Sequence, residues 1–539
     1  MFFSKYSEFI PKSLQYLGKR YSFQFFKKDL IAGITIGIIA LPLAMAFAIA
    51  SGVGPEKGIY TAIIAGFLIS LLGGSKVQIG GPTGAFIVIV YGVVQRTGYS
   101  GLCLSTLIAA AILILLGLFR LGSWIRYVPH PLITGFTTGI AVVIFSTQIK
   151  EFFGLKTGSL PADFIGKWGT YIKASPSFDP TTLGVAAGTL GAILLIRRYI
   201  PQVPWGIAAI ILSTIVCAIF HLPIETIASR FGEIPHSLPI PSLPSLSIPA
   251  GLWPEIFMDG LAIAFLGGIE SLLCAVIADG MIGGRHRPNC ELVAQGIANL
   301  GSILFGGIPA TGAIARTAAN VKSGAQTPMA GMIHAITLLV IVAFLAPIVS
   351  LIPLAALASV LIMVAWNMSE ASHFANLLKA PMGDRAVLLA AFLLTVFVDI
   401  TAAIVLGMVL ASFSFMIRMS SVTKTVPTVF EQAVPEGIEV HEIQGPFFFG
   451  AASMLKDLGS ETSPKVLILW MRHVPVIDAS GMHALKEFSK QCKRSNTILL
   501  LSGISGRTEQ ELKKFGVTDE TFHQIELALA KAREMISTT

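Results

Sequence analysis

From Leu30 to Met419 the chain is a succession of apolar runs parted by short clusters of Gly, Pro and charged residues. A run of about 18 or more apolar residues is long enough to cross a bilayer as a helix. Hydropathy and breaks divide this region into about fourteen segments. The first seven lie near Leu30–Ser51, Gly58–Leu72, Pro82–Val94, Leu102–Leu121, Leu132–Phe152, Thr181–Ile196 and Pro204–Phe220. The second seven lie near Pro254–Asp279, Leu292–Phe305, Thr311–Ala319, Pro328–Ser350, Ala355–Trp366, Arg385–Val398 and Ile400–Met416. Between the groups stands the proline-rich stretch GEIPHSLPIPSLPSLSIPAGLWP, which cannot be a span because proline lacks the amide donor. An odd number of segments per half makes the second half enter the membrane from the opposite face, the geometry of an inverted repeat. After Met419 the pattern changes. KVLILWM and TILLLSG read as buried strands, and GMHALKEFSKQCK and ELALAKAREM as amphipathic helices. The expected division is an N-terminal segment 1–29, a membrane domain 30–420 with repeats of about 30–220 and 254–418, a linker 421–434 and a soluble α/β domain 435–539.

Two stretches interrupt this pattern at membrane depth. GGPTGAF starts at Gly80, and GGIPATGAIARTAAN starts at Gly306. Both contain Thr-Gly-Ala, as Thr83, Gly84, Ala85 and as Thr311, Gly312, Ala313, in the third segment of each half. Unpaired backbone groups in hydrocarbon cost several kcal/mol each, so such breaks belong where protein or a watery cavity covers them. A helix that starts there aims free amides and the positive end of its dipole into that cavity. Two facing starts make an anion site near the midplane. Pro82 and Pro309 sit at or just before a helix start, where amides are unpaired anyway.

Charge adds two candidates. Glu270, in FLGGIESLLCAVIAD, lies inside the eighth segment, and intramembrane acids mark ion or proton paths. It can accept a proton, ligate Na⁺, or pair with Arg316. Arg316, one turn into the second half-helix, can add positive potential to the site or hold Glu270. Phe47 and Phe86 are candidate pocket walls, and Asp399 is expected at the connection between the last two spans. Hydrophobic residues make up 54% of the chain against 13% charged, so the net charge of +8 reflects basic loops and not a nucleic-acid surface. Lys76, Arg120, Arg126, Arg197, Arg198, Arg285 and Arg287 fall in alternate loops, which places both termini on the cytoplasmic side of a cell (inner) membrane. The longer loop Lys150 to Lys173 is the exception. The five cysteines show no metal spacing and no disulfide framework. No nucleotide-binding loop or zinc-protease motif occurs, which argues against an ATP-driven pump or any enzyme, and no cofactor is expected.

DLIAGITIGIIALPLAMAFAIASGVGPEKGIYTAI, GGPTGAF, GGIESLL, GGIPATGAIARTAANVKSGAQTPMAG and VIDASGMHAL, in that order, resemble the SulP anion transporters, related to the mammalian SLC26 group. The resemblance covers nearly the whole chain. It implies an all-α membrane domain of fourteen segments in a seven-plus-seven inverted repeat, with segments one to four and eight to eleven as a core and the rest as a gate. It also implies a cytoplasmic STAS domain, a homodimer and elevator-like transport. Carried over by position, both Thr-Gly-Ala triplets lie at the anion site, Glu270 takes the place of a cation-linked carboxylate, and Arg316 matches a basic position. Leu43, after Pro42, departs from the polar Gln of many relatives and leaves the substrate open. Ser480, in the DASG turn with Asp478, matches a phosphorylated serine of anti-sigma-factor antagonists. The alternative is that Asp478 or Ser480 simply caps the helix.

The function expected from these readings is secondary active transport of a small oxyanion, sulfate by family default, coupled to Na⁺ or H⁺ through Glu270. Bicarbonate or a dicarboxylate is the alternative substrate. An uncoupled exchanger or passive channel is a second class. A membrane-anchored signalling platform, with a cytoplasmic protein bound at the STAS domain, is a third.

Overall fold

The structure, a computed structural model, describes residues 7–16, 21–158, 160–161, 163–201, 203–244, 249–422, 424–427, 434–448, 454–455, 464–504 and 506–537. The chain divides into two compact units, Met1–Val409 and Leu410–Thr539, with the division inside the last apolar helix. Of the expected linker, 423 and 428–433 lie outside the described residues.

Each of the fourteen expected segments carries helix, the tenth only from Ile314 onward. In the first half they are α1 (Phe23–Ala50), α2 (Pro55–Leu72), α3 (Gly84–Leu118), α4 (His130–Phe153), α6 (Pro180–Tyr199) and α7 (Trp205–Ile219), with α5 (Phe164–Ala174) as an extra helix in the long loop. The run α3 holds two segments, parted at Gly98, whose φ of 70° and ψ of −176° no helix contains. In the second half they are α8 (Trp253–Ile282), α9 (Pro288–Leu304), α10 (Ile314–Lys322), α11 (Met329–Ser350), α12 (Leu354–Met368), α13 (Met382–Phe397) and α14 (Ile400–Val422). Nine helices among the described residues are long and apolar enough to cross a membrane. The segments below that length include the half-helix α10, which starts from a break and needs to cover only part of the bilayer. Phe344, Ile348 and Leu118 stand exposed on the outside of the bundle, where lipid is the natural contact.

The helices fall into two groups by packing. In one, α3 lies against α8 and α9, and α1 and α2 lie against α11. In the other, α4 lies against α12 and α13, and α6 against α7 and α12. The first group is the core and the second the gate of the expected architecture. Small residues let the core helices meet. A Cβ at Gly58 would collide with the Ala44 carbonyl oxygen, so α1 and α2 approach only as glycine allows. Two buried carboxylates tie core turns. Asp29 accepts from the Gln326 and Thr327 amides at 2.7 and 3.1 Å, and Glu291 from those of Gly74 and Ser75 at 2.8 and 3.2 Å.

The second unit carries a five-stranded sheet in the order β3 (Lys424–Pro427), β4 (Ile438–Gln444), β5 (Val466–His473), β6 (Ile498–Ser502), β7 (Glu520–Phe522). Only the β3–β4 pair is antiparallel. Apolar clusters cover both faces. One includes Leu485, Phe488 and Leu512 from α15 (Ala479–Arg494) and α16 (Gly506–Phe515), and the other Ile525, Ala528 and Ala532 from α17 (Ile525–Ser537).

Candidate anion-binding site

The two breaks meet. Gly80–Gly81 (β1) and Thr311–Gly312 (β2) pair as antiparallel strands, with Gly80 opposite Gly312 and Gly81 opposite Thr311. This ladder satisfies backbone groups that a broken helix would leave bare. Directly after it, α3 and α10 start, each with a first turn of amides that have no intrahelical acceptor.

The first start is open. Thr83 takes the N-cap position of α3 in extended conformation, but its hydroxyl makes no capping bond. It is buried and has no hydrogen-bond partner. Buried polar groups are almost always paired, so an unpaired one beside free amides marks a place where a ligand or water belongs. This start looks across to the gate. A Cβ at Gly84 would lie 2.9 Å from Met368 Sδ and 3.4 Å from Ile144 Cδ1.

The second start is occupied by protein. The Thr311 hydroxyl lies 2.6 Å from Ser271 Oγ and donates to the Gly267 carbonyl at 3.1 Å. The Gly312 amide donates to Ser271 Oγ at 3.2 Å, and the Ala313 amide to the Ile79 carbonyl at 2.8 Å. The Thr311 hydroxyl and the Gly312 and Ala313 amides are thus bonded within the protein. Arg316, on the turn that follows, reaches back and donates through Nη2 to the Pro82 carbonyl, while its Nη1 has no partner. A Cβ at Gly81 would lie 2.9 Å from that Nη1, so the guanidinium sits beside the first break.

The family model for the sulfate permeases matches residues 26–391, and the STAS domain model matches 430–532. The chain belongs to the sulfate permease family. Over 516 residues it is 42% identical to YvdB of Bacillus subtilis (strain 168), a provisionally named sulfate transporter, covering 94% of this chain and 96% of that one. It is 28% identical to the bicarbonate transporter BicA of Picosynechococcus sp., covering 91% of each. The transmembrane domain of a cyanobacterial BicA superposes with a TM-score of 0.63 at 30% identity, over 71% of this chain and 98% of that one. The fold is also that of the murine solute carrier 26 family member A9 anion transporter in its inward-facing state, with a TM-score of 0.89 at 18% identity, over 98% and 95%. The chain is a multi-pass membrane protein of an anion-transporter family whose named relatives are transporters and not enzymes.

In this chain Glu270 is buried on α8, between Gly267 and Ser271. Gly267, three residues before it and so on the same face, meets the Phe86 ring, whose Cζ would lie 3.3 Å from a Cβ there. Of the alternatives for Glu270, the ion pair with Arg316 is not formed: the guanidinium turns to Pro82 instead. No group of three or more His, Cys, Asp or Glu able to hold a metal occurs among the described residues. Phe47 and Phe86 are both buried, and Leu43 is half-buried. Asp399 caps α14 by accepting from the Ala402 amide at 2.7 Å, at the connection where it was expected.

In the STAS unit, Asp478 accepts from the Gly481 amide at 2.6 Å and so caps α15. Ser480 is exposed and lines a hollow of about 800 Å³ with His483, Glu487 and Arg494. Sequence reading missed Ser271, which holds the second break. The signal was its place beside Glu270, on the helix that faces the Thr-Gly-Ala triplet.

Proposed function

We propose that this chain is a secondary active transporter of a small oxyanion, with sulfate as the first substrate to test and bicarbonate and fumarate as alternatives. The observation that carries the proposal is the buried, unpartnered Thr83 hydroxyl at a helix start facing the gate. The anion would lie against this hydroxyl and the Gly84 and Ala85 amides, with Arg316 Nη1 adding charge from the second break. Transport would follow from movement of the core group against the gate group, carrying the site from one face to the other.

Glu270 supplies the coupling. Two like charges about 8 Å apart repel by about 2 kcal/mol at an effective dielectric near 20. Neutralising the carboxylate with Na⁺ or H⁺ therefore strengthens anion binding by about thirtyfold, and the anion strengthens cation binding equally. The same proposal places both termini in the cytoplasm, by the loop charges, and joins two chains as a dimer, which the mass of the solubilised protein tests.

Purified protein in vesicles provides the functional test. Uptake of labelled sulfate, bicarbonate or fumarate is expected to rise under an inward Na⁺ or H⁺ gradient. Glu270→Gln is expected to retain uptake without that response. A variant that still follows the gradient removes Glu270 from coupling, and large, unsaturating currents would favour a channel.

A further inference from the structure

The long loop between the fifth and sixth spans holds a buried lysine that transport, as described so far, does not use. Lys167, on α5, is 2% exposed. Its Nζ stands 4.4 Å from the centroid of the Tyr91 ring. Tyr91 belongs to α3, eight residues beyond Thr83, or about 12 Å along the same half-helix. Its hydroxyl donates to the Leu160 carbonyl of the same loop at 3.1 Å.

The two partners belong to different helix groups. The helix α5 packs on α4 and α13 of the gate, where Phe164 meets Phe397 with ring centroids 5.6 Å apart. Tyr91 moves with the core. The ring contact and the Leu160 hydrogen bond thus bridge core and gate on the face that carries residues 154–179. A cation over an aromatic face contributes more when water is excluded, as it is here. Beside the pair, Tyr171 is also buried and its hydroxyl has no partner.

We propose that Lys167 and Tyr91 form an outer latch that must part before the anion site opens to the face carrying residues 154–179, so that this pair sets the balance between the two access states. The inference rests on the alternating movement of core and gate proposed above. When the latch parts, the Lys167 ammonium and the Tyr91 ring are released into the mouth through which an anion enters.

A cysteine at Met368, opposite Gly84, reports access to the site. The five native cysteines are all buried. In Met368→Cys protein held in vesicles, a membrane-impermeant thiol reagent is added on the face carrying residues 154–179. Lys167→Met is expected to raise the labelling rate at least threefold, and Tyr91→Leu likewise. Lys167→Arg keeps charge and ring contact and is expected to label at the parent rate. Unchanged labelling in both Lys167→Met and Tyr91→Leu overturns the latch, as does equal acceleration in Lys167→Arg. The two loss variants lie on separate elements, so one that misfolds leaves the other to decide. Uptake by the unmodified protein, measured alongside, tests the transport reading independently: labelling judges the latch whether or not any of the three anions is carried.

Discussion

The first and second breaks share the tripeptide Thr-Gly-Ala and pair strand to strand, yet their hydrogen bonds differ. At the first, the Thr83 hydroxyl is buried without a partner. At the second, Thr311 and Gly312 are both bonded to Ser271. The repeated sequence is offset by two residues against the backbone: Thr83 caps α3 and Gly84 opens it, whereas Thr311 and Gly312 lie in β2 and Ala313 caps α10. The surroundings differ as well, because different helices pack there. The first break keeps an unpaired hydroxyl, and the second is bonded to α8 and sends Arg316 to the side of the first.

The largest effect should come where the two breaks are joined. Arg316→Met removes the charge beside Gly81 and the donor to the Pro82 carbonyl. Hydrogen bonds to charged groups contribute about 1.5–3 kcal/mol, so anion uptake below saturation should fall by about a hundredfold. A fall only in the amount of folded protein would make Arg316 a brace and not part of the site. Next, Thr311→Val leaves Ser271 Oγ and the Gly267 carbonyl without this partner and should cost about 1–3 kcal/mol of stability. That appears as a lower thermal midpoint, with the KM of the folded fraction unchanged. Thr83→Val reverses the pattern: about a tenfold rise in KM, or about 1.4 kcal/mol, with the midpoint unmoved. Equal loss of stability in the two valine variants would break the comparison.

Most of the membrane fold was legible because its causes are local. Apolar runs that must span a bilayer announce their length, and Gly80, Gly81, Pro82 and Pro309 announce where helices cannot continue. The place of Asp399, at the connection between the last two spans, was readable for the same reason, but its capping bond was not. The hydrogen-bond partners were not legible. Ser271 stands forty residues before Thr311, and Lys167 stands seventy-six residues after Tyr91. Asp29 and Glu291 stand at the ends of apolar runs, yet both are fully buried and hold turns from distant segments. No spacing along the chain reveals such meetings.

Taken alone, the order of residues determined that this chain crosses the membrane many times, breaks two helices at corresponding depths and ends in an α/β domain. Those features follow from hydrophobicity, proline and glycine, whose effects act within a few residues. Which broken helix keeps an unpaired hydroxyl, where Arg316 turns and whether Glu270 meets it were decided by the packing of α3, α8 and α10 around one ladder. A buried polar group is governed by whichever partner reaches it first in space, and only the folded chain brings those partners together.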